Sequence, residues 1–109
     1  MGASGPGPEQ LAEISKYFRV LSEPARLQLL CSLKSAPSDV QTLVDHTGFS
    51  QSHISRQLTQ LAQFDMVRSE RERGRLVFYA DSPLVDQLCE LVSKEMLSKL
   101  EAKMNSLRS

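Results

Sequence analysis

The chain shows a helical alternation of apolar and polar positions over most of its length, and the clearest instance is residues 50–62. The apolar positions that recur there at the spacing of one helix face are Ile54, Leu58, Leu61 and Ala62. This spacing predicts a buried stripe. Ser50 stands just before the stripe and is of a type that caps helices, because its hydroxyl accepts a hydrogen bond from a free backbone N–H. The pattern therefore predicts a two-faced helix that begins after Ser50.

The opposite surface of this helix is polar and carries no carboxylate. Its side chains are Gln51, Ser52, His53, Ser55, Arg56, Gln57, Thr59 and Gln60. Hydrogen-bonding groups with one cation suit base edges and phosphates, and an α-helix fits the major groove of DNA. The alternative is a solvated helix face, which usually carries Glu and Lys in quantity, and neither occurs here. The pattern of residues 51–60 thus leaves two interpretations open, a DNA-reading helix and a solvated surface helix.

Three helical segments precede this helix. The first begins at Pro8, and the second follows Ser22, which is predicted to cap it. The third is capped by Ser38 or Asp39 and is closed by a glycine. Two helices joined by a short turn that contains glycine form a helix-turn-helix, which we place at about residues 38–63.

The period changes from helical to alternating in about residues 66–80. Gly74 lies in the middle of this stretch and can take the positive φ that a tight hairpin needs. The segment therefore predicts a β-hairpin beside the reading helix. Its cations are Arg68, Arg71, Arg73 and Arg75. They would bind phosphates or enter the minor groove, whereas the alternative is a solvent hairpin with internal Arg–Glu pairs.

A last long helix is predicted at about residues 82–105, and its apolar stripe is longer than so small a domain can cover. Together with the two-faced first helix, this surface predicts a homodimer through the first and last helices. Two-fold symmetry suits a palindromic operator. The alternative is a C-terminal helix that folds over its own core.

Length and composition limit the remaining possibilities. The 109 residues predict a single domain at 8–109 after a disordered tail at 1–7, and 13 basic side chains balance 13 acidic ones. No apolar run approaches the roughly 20 residues that cross a bilayer, so we expect a cytoplasmic protein without a membrane partner. The sequence shows no assembled nucleophile and base, no carboxylate pair and no phosphate loop. We therefore predict no enzyme.

Three runs of the chain resemble the ArsR/SmtB family of winged-helix repressors. They are LSEPARL at 21–27, SQSHISRQL at 50–58 and RGRLVFY at 73–79. The resemblance implies a mainly α fold with a β-hairpin wing, and a dimeric transcriptional repressor that an inducer releases from double-stranded operator DNA. It also places Gln51, Ser52, His53, Ser55 and Arg56 against the DNA. The competing hypothesis is a winged-helix module that binds protein.

Many members of that family sense metals, and their ligand positions hold other residues in this chain. The run that matches the Cys-Val-Cys of the arsenic and lead sensors is Asp39-Val40-Gln41, and the last helix contains no His. We predict neither a metal nor another cofactor. Cys31 resembles the second-helix cysteine of the family's persulfide and redox sensors, and Cys89 lies on the last helix. Two interpretations stay open: a thiol sensor at Cys31 and Cys89, or two buried cysteines that only pack.

Overall fold

Five helices and one two-stranded hairpin make up residues 5–108, the part of the chain that this computed structural model describes. The elements in chain order are α1 (Pro8–Leu21), α2 (Pro24–Ser35), α3 (Val40–Thr47), α4 (Gln51–Gln63), β1 (Arg68–Glu72), β2 (Arg75–Tyr79) and α5 (Pro83–Arg108). Residues 1–4 of the predicted tail lie outside the described range. The order confirms the predicted winged helix-turn-helix.

The core lies where α2, α3 and α4 meet. Its fully buried side chains include Leu29, Leu33, Leu43, Ile54, Leu58 and Leu61. Each such side chain contributes about 1.5–3 kcal/mol relative to an exposed one. Ala62, which was predicted to share the buried stripe of α4, is exposed. The reason is its place at the edge of the stripe, about 80° around the helix from Ile54.

The ends of α3 and α4 form at the residues predicted for them. The Asp39 carboxylate accepts a hydrogen bond from the Thr42 N–H at 2.8 Å, and the Ser50 hydroxyl accepts one from the His53 N–H at 3.2 Å. Gly48 closes α3 with φ of +78°, a conformation that glycine adopts without steric cost. Gly48 and Ser50 together form the short turn between α3 and α4.

The predicted cap of α2 is wrong. Glu23 occupies the N-cap position and makes no capping hydrogen bond through its side chain. Ser22 lies one residue too early, at the C-terminus of α1, and its hydroxyl donates to the Arg19 carbonyl at 2.7 Å. A serine between two helices has thus bonded to the helix before it.

The wing is an antiparallel pair in which Arg68 lies opposite Tyr79. Arg73 and Gly74 have φ of +53° and +80°, as a two-residue hairpin loop of the type I′ class requires. Ser38 and Phe78 exchange two backbone hydrogen bonds, of 3.2 and 2.8 Å. This bridge attaches the hairpin to the start of α3, so the wing is held beside the helix-turn-helix.

Large apolar side chains of α1 and α5 remain in solvent. Those at least 39% exposed are Leu11, Ile14, Phe18, Leu84, Leu91, Val92, Met96, Leu97, Leu100, Met104 and Leu107. We call this set the α1–α5 surface. Only Val85 of α5 is buried within the described chain, and every residue from Cys89 to Arg108 is exposed, so the C-terminal part of this long helix has little contact with its own domain. No helix within residues 5–108 has the length and hydropathy to cross a membrane.

Candidate nucleic-acid interface

The outer surface of α4 is polar, and none of its side chains is acidic. Four of the predicted DNA contacts on α4 are exposed, namely Gln51, Ser52, Ser55 and Arg56, and so are Thr59 and Gln60 on the same polar surface. Arg56 makes no ion pair with any residue of the described range 5–108, so its guanidinium is available to an external anion or base. The hydroxyl of Thr59 already donates to the Ser55 carbonyl at 2.9 Å. This surface of α4 therefore presents amide, hydroxyl and guanidinium groups to the solvent.

Two other predicted contacts on α4 turn partly toward the protein. The half-buried His53 ring packs edge-on against Phe49, with ring centroids 5.1 Å apart. The half-buried Gln57 accepts a hydrogen bond through Oε1 from Arg26 Nε at 2.7 Å. Sequence periodicity missed both contacts because neither Phe49 nor Arg26 lies on α4.

Two of the four wing arginines have intramolecular partners. Arg68 pairs with Glu70 at 2.8 Å and Asp81 at 2.9 Å, and its guanidinium carbon lies 4.3 Å from the centre of the Tyr79 ring. The hydrogen bond to Asp81 raises the pKa of Arg68 above its ordinary value. Arg68 therefore fastens the base of the hairpin.

Arg75 makes the second such contact, because its Nη1 lies 3.0 Å from Oδ2 of Asp39. The pKa of the Asp39 carboxyl is held below its usual value, first by hydrogen bonds from Thr42 and then by the Arg75 charge. One carboxylate thus caps α3 and holds the wing. This partner lies 36 residues away in sequence, so local Arg–Glu pairing could not indicate it.

Arg71 and Arg73 differ from the other wing arginines. Both are exposed at the end of the hairpin, and neither forms an ion pair inside residues 5–108. With Arg56 they are the cations of this region whose charge no carboxylate of the described chain neutralises. These three guanidinium groups are therefore available to bind the phosphates of a DNA backbone that lies beside α4 and the wing.

The two cysteines lie away from this surface. Both are free and exposed in the single chain, so neither is the buried core residue of the second interpretation there, and Cys89 also lines an apolar groove with Phe18 and Val92. They line one cavity of about 110 Å³ between α2 and α5, together with the ion pair of Lys34 and Asp86 at 3.0 Å. The hydrogen bond that Lys34 donates to the Asp86 carboxylate is the largest cause of the raised pKa of Lys34. The described residues contain no group of three or more His, Cys, Asp or Glu side chains placed to hold a metal ion.

A family model agrees with the helix-turn-helix region. Residues 23–69 match the model described as "Bacterial regulatory protein, arsR family". The match begins just before α2 and ends in the first residues of β1. It therefore includes the whole of α4 and excludes α1 and α5.

Two curated proteins are similar over a longer stretch. The HTH-type transcriptional regulator KmtR of Mycobacterium tuberculosis is 32% identical over 79 residues, which cover 70% of this chain and 60% of KmtR. The "Probable mercury resistance operon repressor" of Streptomyces lividans is 30% identical over 77 residues, which cover 71% of this chain and 62% of that protein. This chain thus spans about 60% of the length of these relatives.

Solved structures show the same fold. A homodimeric winged helix-turn-helix DNA-binding domain from Mycobacterium bovis has a TM-score of 0.71 at 25% identity, covering 91% of this chain and 94% of that one. NolR from Sinorhizobium fredii has a TM-score of 0.74 at 24% identity, covering 84% of this chain and 94% of its own. Both likenesses extend beyond the helix-turn-helix to most of the chain.

Proposed function

Because residues 23–69 belong to the ArsR family of bacterial regulatory proteins, we propose that this protein is a transcriptional repressor that binds a palindromic operator as a homodimer. An inducer would release it. The observation that carries the proposal is the exposed surface of α4, where Gln51, Ser52, Ser55 and Arg56 stand without a carboxylate. A helix with such groups near its N-terminus reads donor and acceptor patterns in the major groove.

The relatives support the regulatory part of the proposal. KmtR is named a transcriptional regulator and the Streptomyces protein an operon repressor. The protein would act in the cytoplasm without catalysing a reaction. In this role α4 reads bases, whereas Arg71 and Arg73 contact phosphates. Arg68 and Arg75 hold the wing in place through their carboxylate partners.

The α1–α5 surface supports the homodimer. Phe18 borders two apolar grooves between α1 and α5, one with Ile14 and Leu84 and the other with Leu27 and Val92. Apolar surface of this extent is unusual on a monomer and is covered when a second copy packs against it. The similar Mycobacterium bovis domain is described as homodimeric.

Selection of bound sequences from random double-stranded DNA tests the proposed function. We expect enrichment of a palindrome whose half-sites are centred about 10 base pairs apart, or a multiple of that distance. Enrichment of no motif over the starting pool would contradict sequence-specific binding and favour the protein-interaction hypothesis.

The free and paired wing arginines predict different salt dependences. Arg73→Gln should weaken binding to all DNA, because it removes a phosphate contact from each protomer. The slope of log affinity against log salt concentration should fall in magnitude by about 1.8, or about 0.9 for each contact. Titrations at four salt concentrations measure this slope.

Arg75→Gln is the matched control on the same strand pair. It removes the same charge, but from a guanidinium that already pairs with Asp39. We expect less than about half the change in slope that Arg73→Gln produces. Equal changes in slope for both variants would show that the ion pair between Arg75 and Asp39 breaks when the protein binds DNA.

The shared cavity of Cys31 and Cys89 favours a second candidate, in which oxidation of the two thiols releases the DNA. In that reaction the two thiols form an S–S bond and give up two protons and two electrons. A hydroperoxide accepts them and is reduced to an alcohol and water. The bond would join α2 to α5 and displace helices on which both the core and the α1–α5 surface depend.

Treatment of the reduced protein with a hydroperoxide should then abolish operator binding by the wild type. The Cys31→Ser and Cys89→Ser variants should still bind the operator after the same treatment. Intact-mass measurement should show the loss of two hydrogens in the wild type alone. Unchanged binding after complete oxidation would refute the thiol switch and would leave the repressor proposal intact.

A further inference from the structure

Arg26 connects three helices through one side chain. It lies near the start of α2, and its Nε donates to Oε1 of Gln57 on α4 at 2.7 Å. Its Nη1 donates to the Val20 carbonyl at 3.0 Å and lies 3.4 Å from the Arg19 carbonyl. The guanidinium therefore bridges the C-terminus of α1 and the middle of α4.

The bond to the Val20 carbonyl uses a group that α1 itself leaves free, whereas the Arg19 carbonyl also accepts hydrogen bonds from the N–H and the hydroxyl of Ser22. Arg19 and Val20 belong to the last turn of α1, where carbonyls have no partner within the helix. A cation at this end also interacts favourably with the helix dipole. Arg26 and Gln57 are both half-buried, so water competes less for these hydrogen bonds than at the surface.

A second contact joins the same two helices farther along. The rings of Tyr17 on α1 and Phe64 at the end of α4 meet edge-on, with centroids 5.1 Å apart. Gln57 and Phe64 are seven residues apart, which is about 10 Å along an α-helix. Contacts at two such points fix the direction of α4 relative to α1, whereas one contact would leave it free to pivot.

We propose that Arg26 is a positioning residue that sets the spacing of operator half-sites the homodimer accepts. This inference rests on the proposed function. If α1 packs against the second copy, then the angle between α1 and α4 determines how far apart the two reading helices lie. Inserting one base pair moves the half-sites apart by about 3.4 Å and rotates one around the DNA axis, so rigid helices discriminate against it.

The test compares the selected operator with versions that carry one base pair more or fewer between the half-sites. The wild type should prefer the selected spacing by at least about tenfold, and Arg26→Met and Gln57→Met should reduce this preference below about threefold. Gln57→Glu keeps an acceptor for Arg26. Its added carboxylate should weaken binding to every duplex, but the ratio of its affinities for the two spacings should stay at the wild-type value. Thermal unfolding checks that each variant is folded.

Lys34→Met is the matched control, because it removes a cation from the same helix, and the exposed ion pair of Lys34 with Asp86 contributes little to the placement of the helices. Its spacing preference should equal that of the wild type. Gln57→Met leaves the bonds from Arg26 to α1 in place. If Arg26→Met fails to fold, the spacing preference of Gln57→Met tests the inference instead.

Two results would overturn the inference. Folded Arg26→Met could keep the wild-type spacing preference, or Gln57→Met could alter the preferred base at one position without changing the spacing. The second result would mean that Gln57 contacts DNA directly. If the wild type binds selected DNA no better than random DNA, the proposed function itself fails, which is a separate outcome.

Discussion

Val92→Glu is expected to convert the homodimer into monomers and to lower operator affinity by at least about 100-fold. Val92 is 56% exposed in the single chain and lines an apolar groove with Phe18 and Leu88. In a dimer that covers this groove, the substitution would bury an unpaired carboxylate at a cost of several kcal/mol, about 3–5. By two-fold symmetry the change occurs twice in each interface. Sedimentation equilibrium and DNA titration measure the two effects.

The exposure of Val92 also makes the experiment specific. Because the side chain is mostly in solvent, the glutamate should leave the monomer fold and its far-UV circular dichroism unchanged. Gln87→Glu is the matched control: it adds the same charge to an exposed position of α5 that lines neither groove. A Val92→Glu protein that remains dimeric at micromolar concentration would rule out the α1–α5 surface as the interface.

Arg56→Ala should have the second large effect. Arg56 lies on the exposed surface of α4, and no carboxylate within residues 5–108 pairs with it. A bidentate contact from arginine to guanine contributes about 1–3 kcal/mol of discrimination, and the homodimer makes each contact twice. We therefore expect a loss of operator affinity by about 10- to 100-fold in each half-site together with relaxed base preference at one position. Titration against a set of single-base operator variants measures both.

Lys103→Ala provides the control for loss of charge alone. Lys103 is exposed near the end of α5 and makes no ion pair within the described chain. Its removal should change affinity slightly and leave every base preference as in the wild type. If Arg56→Ala behaves in the same way, α4 is not the element that reads the DNA.

Local sequence patterns predicted the parts of the fold that depend on near neighbours. The cap at Asp39, the cap at Ser50 and the glycine turn at Gly48 each involve residues at most four positions apart. The hairpin loop at Arg73 and Gly74 likewise depends on two adjacent φ angles. Residue type and spacing suffice for such features, because the backbone itself brings the partners together.

Contacts between distant parts of the chain were beyond this reasoning. Arg26 reaches Gln57 across 31 residues, and Arg75 reaches Asp39 across 36. Helical periodicity placed Gln57 on the polar surface of α4, but it could not show that α2 covers the edge of that surface. The exposure of Cys31 was missed for the same reason, since an apolar stripe in sequence does not say which of its edges remains uncovered.

The most direct test of the central claim is a titration of the reduced wild-type protein on its selected palindrome and on a scrambled duplex of equal length at one fixed salt concentration. A DNA-reading repressor should bind the palindrome at least about 1,000-fold more tightly, with two chains on each operator. Equal affinity for the two duplexes, or one chain on each palindrome, would contradict it.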